Sequence, residues 1–204
     1  MDPAKVKTYQ RPRLGLDIGD VLSSTNPRCR KQEGDEIYRS ATPGAYAFIV
    51  CFILRFGAEQ LFVISRTQRG SWWSSFRGRT VEAWVVRFIR ALGLFDMGMP
   101  ESHMSICTDQ RGLKGKGPLS LQYDLTHFVD NSDQCGYAVV VEGSISHRNG
   151  CWIHFDTNVN DPADLSCSTQ GSKQNNELCL QYRRTASSWP EIADLFDMDI
   201  SSEL

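Results

Sequence analysis

Apolar residues along this chain form short runs and helical stripes that alternate with one another. Five runs have the length of buried strands and are bounded by polar or turn-forming residues. They are the run before Asp17, Gln60–Ile64, Met104–Cys107, Leu125–Asp130 and Tyr137–Val141. We expect each to form one strand of a sheet.

Helical patterns lie between these runs. Ala45–Phe56 is strongly apolar, follows Thr42-Pro43-Gly44 and ends at Gly57, which predicts a buried helix too short to span a bilayer. A second helix is predicted to begin at Thr80 as its N-cap, and a third spans 117–123. The second helix has an apolar stripe that includes Trp84 and predicts a core-facing side: Val81, Trp84, Val85, Phe88, Ile89 and Leu92. This alternation predicts an α/β fold with a mostly parallel sheet and helices on both faces.

Composition and hydrophobic pattern divide the chain into three parts. Residues 1–11 are a polar N-terminal extension, and residues 12–142 hold the alternating pattern of the α/β core. Residues 143–204 are a C-terminal segment with a flexible loop expected at about 160–176, where Ser, Asn, Asp and Gly dominate. A helix is predicted over 188–196, with Pro190 at its start and four apolar residues that could dock it on the core: Trp189, Ile192, Leu195 and Phe196.

Residues that carry chemistry recur at the ends of the predicted strands. Asp17 follows the first run, Ser65 the second, and Asp130 ends the fourth, while Lys116 lies between the last two. In an open α/β sheet, the carboxyl ends of the strands are where ligands bind. A carboxylate that only caps a turn is the alternative for Asp17 taken alone.

This order of residues resembles that of the haloacid dehalogenase-like (HAD) superfamily. Leu16–Val21 is similar to the Asp-Ile-Gly-Gly-Val form of its first motif, and 126–131 to the Thr-His-Phe-Val-Asp-Asp form of its fourth. The resemblance covers about residues 12–142 and implies a three-layer, Rossmannoid α/β core. It also implies an enzyme that hydrolyses phosphoesters through an aspartyl-phosphate.

The resemblance assigns a role to each of these residues. Asp17 would be the nucleophile, Lys116 would neutralise phosphate charge, and Ser65 would hydrogen-bond a phosphate oxygen next to Arg66. Mg²⁺ would be the cofactor, held by oxygen ligands. Those ligands would come from Asp17, the Gly19 carbonyl, Asp130 and Asn131. Lys114 is an alternative to Lys116, although related sequences place the lysine just before the helix that leads to the fourth strand.

Two positions depart from the family pattern. Gly19 stands where HAD phosphatases carry an aspartate that acts as general acid and base, a role typically worth ~10²–10⁴-fold in rate. Asp20 is adjacent but is expected to project elsewhere. Asn131 replaces a second aspartate, and Asp133 is near enough to help through water or to be a solvated turn residue.

The spacing of the motifs leaves no room for a large cap domain, so we expect an open site. Such a site suits a phosphorylated small molecule or macromolecule, or closure by a partner subunit in a homo-oligomer. An arginine- and aromatic-rich loop follows Ser65 and could recognise the substrate or simply pack on the domain: Arg66, Arg69, Trp72, Trp73, Phe76, Arg77 and Arg79. Arg28, Arg30 and Lys31 add positive charge between the first two motifs.

Composition and charge indicate the class of partner and the cellular location that we expect. The net charge of -2 gives no sign of a general nucleic-acid or membrane surface. Seven cysteines without a Cys-x-x-Cys pair, and a polar start, favour reduced thiols in a cytoplasmic protein. The resemblance predicts a Mg²⁺-dependent HAD-like phosphohydrolase. The alternatives are an impaired HAD scaffold that binds a phosphorylated ligand or protein, and an oligomeric interaction protein.

Overall fold

The computed structural model describes residues 11–23, 41–66, 81–107, 115–156 and 173–200. Within them, six strands alternate with helices. The strands are β1 (Leu14–Leu16), β2 (Leu61–Arg66), β3 (Met104–Cys107), β4 (His127–Asp130), β5 (Cys151–Phe155) and β6 (Arg183–Ala186). The helices are α1 (Ala45–Phe56), α2 (Val81–Ala91), α3 (Lys116–Gln122), α4 (Asp133–Tyr137), α5 (Lys173–Tyr182) and α6 (Trp189–Leu195). Short 3-10 turns, Ala58–Gln60 and Glu101–His103, precede β2 and β3.

The six strands form one sheet in the order β3-β2-β1-β4-β5-β6, and every neighbouring pair is parallel. Leu16 is level with Val63 of β2 on one side and with Val129 of β4 on the other. The predicted α/β class with a mostly parallel sheet is therefore confirmed.

Helices cover both faces of this sheet. One apolar core joins Leu14 and Leu16 to α1, α2 and α6, and the other joins Phe62, Phe128 and Trp152 to α3, α4 and α5. Strands buried on two faces read as continuous apolar runs, which is why the runs were visible in the sequence. The connections after β1 and β2 lie on the first face, and those after β3, β4 and β5 on the second.

Glycines set the ends of α1. Gly44 precedes its first residue with φ 84° and Gly57 follows its last with φ 99°, both in the left-handed range that glycine adopts without cost. The N–H of Gly57 donates to the carbonyl of Ile53 and closes the final turn. The predicted boundaries of this helix are confirmed.

The strand predicted for Tyr137–Val141 is wrong. Tyr137 ends α4, and Ala138–Glu142 continue it as a π-helical turn. Small residues let this turn approach α3 closely: a Cβ added to Gly117 would lie 2.7 Å from the Ala138 carbonyl oxygen. Packing of this kind outweighs the β-propensity of three successive valines.

The C-terminal segment contributes two strands that the sequence analysis did not predict. β5 and β6 extend the sheet past β4, so the described part of the segment shares the core's sheet. Residues 173–176 of the expected flexible loop begin α5, and the rest of that loop lies outside the described residues. No helix in the described ranges is long and apolar enough to cross a membrane.

Candidate active site

The candidate site lies where the strand order reverses. The chain leaves β1 toward β2 on one side of the sheet, while β4 takes the place beside β1 on the other side. A switch point of this kind opens a crevice at the carboxyl ends of the two strands, which is where open α/β sheets bind ligands. Asp17 directly follows β1, and Asp130 is the last residue of β4. The Asp17 N–H donates to the Val129 carbonyl over 3.0 Å and fixes the two strand ends together.

Lys116 joins the two carboxylates. It is the first residue of α3, and its Nζ lies 2.6 Å from Asp130 Oδ2 and 3.0 Å from Asp17 Oδ1. The side chains are deeply buried, with exposed fractions of 1% for Lys116, 11% for Asp17 and 1% for Asp130. The Phe128 ring centroid is 5.6 Å from Nζ and forms part of the apolar wall. Three predicted site residues from three elements therefore meet in one cluster.

Burial and neighbouring charge act on the protonation of this cluster in opposite directions. Burial raises the pKa of Asp17 to about 6, although the Lys116 ammonium works against that shift. For Lys116, burial would lower the pKa, but the carboxylates of Asp130 and Asp17 outweigh it and hold the pKa above its ordinary value. At neutral pH, Lys116 is an ammonium and Asp17 a carboxylate.

The two carboxylates of the cluster carry more negative charge than the single ammonium between them neutralises. Asp130 receives Lys116 at Oδ2 and the Ser132 N–H at Oδ1, over 2.6 and 2.8 Å. Asp17 Oδ1 is buried and forms an ion pair with Lys116 Nζ over 3.0 Å without a hydrogen bond. Two carboxylates facing one ammonium leave a net negative charge with spare lone pairs, which fits Mg²⁺.

Side-chain ligands alone would not complete such a metal site. Among the described residues, no three His, Cys, Asp or Glu side chains converge on one point. A cation bound by Asp17 and Asp130 would complete its shell with backbone or amide oxygens, water or phosphate. The Gly19 carbonyl and Asn131, which is half-buried beside Asp130, are the two that the sequence analysis named.

The loop after Asp17 has no side chain at Gly19 and takes a left-handed conformation at Asp20. A Cβ built on Gly19 would meet no atom within 4 Å, so the space for a side chain is open. Asp20 has φ 59°, a left-handed conformation that asparagine and aspartate tolerate better than most residues. Its N–H donates to the Ser23 carbonyl over 2.9 Å, which holds the turn.

Ser65 lies near the carboxyl end of β2, the strand beside β1, and is 4% exposed. Among the described residues, no hydrogen bond joins it to Asp17, Lys116 or Asp130. Arg66 ends β2, but its side chain lies outside the described set. Several other named positions also lie outside the described residues: Arg28, Arg30, Lys31, Arg69, Trp72, Trp73, Phe76, Arg77, Arg79, Thr80 and Lys114. The side chain of Trp84 is likewise not described.

A second polar cluster, which the sequence analysis missed, lies beside β4 at the strands β5 and β6, away from β1. Asp133 Oδ1 is 3.1 Å from His154 Nδ1 and 3.3 Å from Arg183 Nη1. Burial would raise the pKa of Asp133, but His154 and Arg183 outweigh it and the pKa is lowered. These residues come from α4, β5 and β6 and form no sequence motif. Only the strand pairing that brings them together could have found them.

The partly buried His127 contacts the C-terminal segment. His127 begins β4, and its ring packs at a tilt of 53° on Phe196, with a centroid distance of 4.8 Å. Burial lowers the pKa of His127 to about 4, so the ring is neutral at physiological pH. Its Nδ1 is 2.8 Å from Thr126 Oγ1.

Comparison with known proteins adds no relative, since no family model, curated protein or solved structure matches this chain.

Proposed function

We propose that this protein is a Mg²⁺-dependent phosphohydrolase of the HAD-like type, with Asp17 as the nucleophile. One observation carries the proposal: a buried ammonium, Lys116, contacts both Asp17 and Asp130 at the switch point of a parallel sheet. An ammonium between two carboxylates in an apolar wall is costly to bury. Its position beside the candidate nucleophile supports a role in neutralising an incoming phosphate.

The chemistry follows from the residues of the cluster. An Asp17 carboxylate oxygen attacks phosphorus, a new P–O bond forms, and the bond to the leaving oxygen breaks. Water then hydrolyses the acyl-phosphate, releasing inorganic phosphate and restoring Asp17. Lys116 offsets the repulsion between the carboxylate and the phosphate, and Ser65 is assigned a phosphate oxygen. Bound Mg²⁺ would supply further charge neutralisation.

Gly19 limits the substrates that this mechanism can process. No side chain at this position can protonate the leaving oxygen or take a proton from the attacking water. We therefore expect phosphoesters with good leaving groups, on a small molecule or a macromolecule, to be the substrates. The short sequence between motifs supports a site without a large cap.

A second candidate function is favoured by the same glycine. The chain could bind a phosphorylated ligand or protein with Asp17, Lys116 and Asp130 and turn it over negligibly. Binding without turnover separates this possibility from the enzyme.

The test is phosphate release from p-nitrophenyl phosphate with Mg²⁺, comparing the wild type with Asp17→Asn. We expect turnover by the wild type and its loss in Asp17→Asn. Asp20→Asn is the matched control, because asparagine keeps the left-handed turn and removes only the acid; we expect it to retain activity. Equal turnover in the wild type and Asp17→Asn would refute the proposal. No turnover in either, together with Mg²⁺-dependent binding of inorganic phosphate to the wild type, would favour the scaffold.

A further inference from the structure

The cluster of Asp133, His154 and Arg183 is built beside the candidate site and has no part in the mechanism above. The exposed fractions of these side chains are 23%, 13% and 9%. His154 is the register partner of Asp130 across β4 and β5. Paired residues on parallel strands project to the same face, so the cluster lies one strand away from Asp130 on the same side of the sheet.

The Trp152 indole contacts two members of the cluster. The Arg183 guanidinium carbon lies 5.1 Å from the Trp152 ring centroid, and the His154 ring packs edge-on to Trp152 at 5.5 Å. α4 also rests on this indole, because a Cβ added to Gly136 would be 2.1 Å from Trp152 Cε2. The indole thus sets the position of α4, whose first residue is Asp133.

A short run of contacts joins the cluster to the nucleophile. Asp133 is adjacent in the chain to Ser132, and the Ser132 N–H donates to Asp130 Oδ1. Asp130 Oδ2 holds Lys116, which contacts Asp17. A displacement of Asp133 would therefore move the Ser132 N–H, which is the backbone group that orients Asp130.

Stability alone does not explain these polar groups. Asp133 Oδ1, His154 Nδ1, Arg183 Nε and Trp152 Nε1 are all buried without a hydrogen bond of good geometry. Buried ionic groups with incomplete partners are often less favourable than apolar side chains of similar volume. The contacts of the cluster account for these polar groups in another way, because they fix the position of α4.

We propose that Asp133, His154 and Arg183 are positioning residues that hold the loop from Asp130 to Ser132 in place and thereby orient Asp130 toward Lys116. The catalytic consequence rests on the proposed function, whereas the effect on the loop does not. Groups that orient the residues around a metal typically change affinity or activity by about 10–100-fold when removed.

The main test compares Arg183→Met with Arg184→Met. Methionine keeps an apolar stem over Trp152 but removes the charge that faces Asp133. Arg184 is exposed, follows Arg183 on the same strand and serves as the matched control. Amide hydrogen exchange of Ser132 reports whether its N–H still bonds to Asp130, independently of any activity. We expect exchange at Ser132 to be at least about tenfold faster in Arg183→Met, after correction for global stability, and unchanged in Arg184→Met.

A second pair covers the case in which Arg183→Met does not fold. His154→Leu removes the group that contacts Asp133, whereas His154→Asn places an amide near the position of Nδ1. We expect faster Ser132 exchange in the leucine variant and recovery in the asparagine variant. If the wild type releases phosphate, Arg183→Met and His154→Leu should lower kcat with KM little changed.

Unchanged Ser132 exchange in the folded Arg183→Met or His154→Leu variant would overturn the positioning role. So would an equal effect of Arg184→Met. If the wild type released no phosphate but the exchange results held, the proposed function would fail and the structural part of this proposal would stand.

Discussion

At the scale of single residues, the candidate site depends on the ammonium of Lys116 between two carboxylates. Because burial raises the pKa of Asp17 to about 6, the folded protein binds more protons than the unfolded chain between pH 4 and 6. The Asp17 contribution to the free energy of unfolding therefore falls as pH rises through that window and is constant above it. The effect belongs to metal-free protein, since a bound cation favours the carboxylate.

We predict that the Asp17 carboxyl resonance of ¹³C-labelled protein in EDTA titrates with a midpoint near 6, and that Mg²⁺ moves the midpoint down. Asp17→Asn assigns the resonance. In urea unfolding, the stability of wild type relative to Asp17→Asn should decrease from pH 4 to pH 7. A midpoint near 4 in EDTA would show that the carboxyl is not desolvated as described.

The glycine at position 19 allows a gain of function to be tested. The space around it is open to a side chain, and its φ does not lie in the left-handed range. We predict that Gly19→Asp raises phosphate release by a factor between ~10² and ~10⁴, because it would supply a general acid and base that the proposed mechanism otherwise lacks. The increase should be largest for alkyl phosphates, whose leaving groups need a proton.

Gly19→Asn is the matched control, since it has the same size and loop geometry but cannot transfer a proton. Equal rates in the two variants would mean that the added side chain acts by shape alone. No increase in either variant would show that Gly19 does not limit phosphate release.

Residue chemistry at the strand ends was predictable in part. Asp17 and Asp130 were predicted from the ends of apolar runs, and Lys116 was preferred to Lys114 through the resemblance to the HAD superfamily; the three side chains meet in the structure. The cluster around Asp133 was not predictable, because its members are separated by 21 and 29 residues between successive positions along the chain and meet only through the pairing of β4, β5 and β6.

At the scale of elements, α6 shows how a short helix is held by its apolar side. Trp189 is fully buried and packs on Phe48 of α1 at 4.9 Å and on Phe155 of β5 at 5.4 Å between ring centroids. Ser188 caps the helix by accepting the Glu191 N–H. The prediction of a docking helix is confirmed for Trp189, Ile192 and Phe196, whereas Leu195 is 43% exposed.

We predict that Trp189→Ala lowers the free energy of unfolding by about 3–5 kcal/mol, since it removes a buried aromatic side chain and leaves a cavity. Leu195→Ala should change it by less than about 1 kcal/mol, as expected for an exposed position. Urea unfolding followed by circular dichroism measures both. Equal effects would mean that α6 does not dock through its tryptophan.

Elements were predicted where local pattern and packing agree and missed where they conflict. α1 is apolar, bounded by glycines and buried, so its pattern and its environment coincide. The Ala138–Glu142 turn has strand-like valines but packs as a helix against α3. β6 is a short sheet-edge strand with exposed Arg184 and Thr185, so its sequence, Arg-Arg-Thr-Ala, lacks the apolar run that marked β1 to β4.

At the scale of the whole molecule, the sheet determines which parts of the chain depend on one another. The predicted core ended at residue 142, yet β5 pairs with β4 and β6 pairs with β5. Phe155, Trp189 and Ile192 from the C-terminal segment belong to the same apolar core as Leu14 and Leu16. A chain cut at 142 would expose one edge of β4 and that part of the core.

We predict that residues 12–142 alone do not form a stable fold, whereas the full chain does. The fragment should give a poorly dispersed ¹H–¹⁵N NMR spectrum and a non-cooperative urea transition, because β4 would become an exposed edge and the α6 side of the core would be open. Adding residues 143–200 as a separate chain tests whether the fragment is unstable because it lacks β5 and β6. Reassociation of the two chains should restore the dispersion of the NMR spectrum. A fragment that unfolds cooperatively at the stability of the full chain would instead support an independent core, with β5, β6 and α6 as an accessory layer. In that case Asp17, Lys116 and Asp130 would be positioned without the second polar cluster, and the fragment should release phosphate as the full chain does.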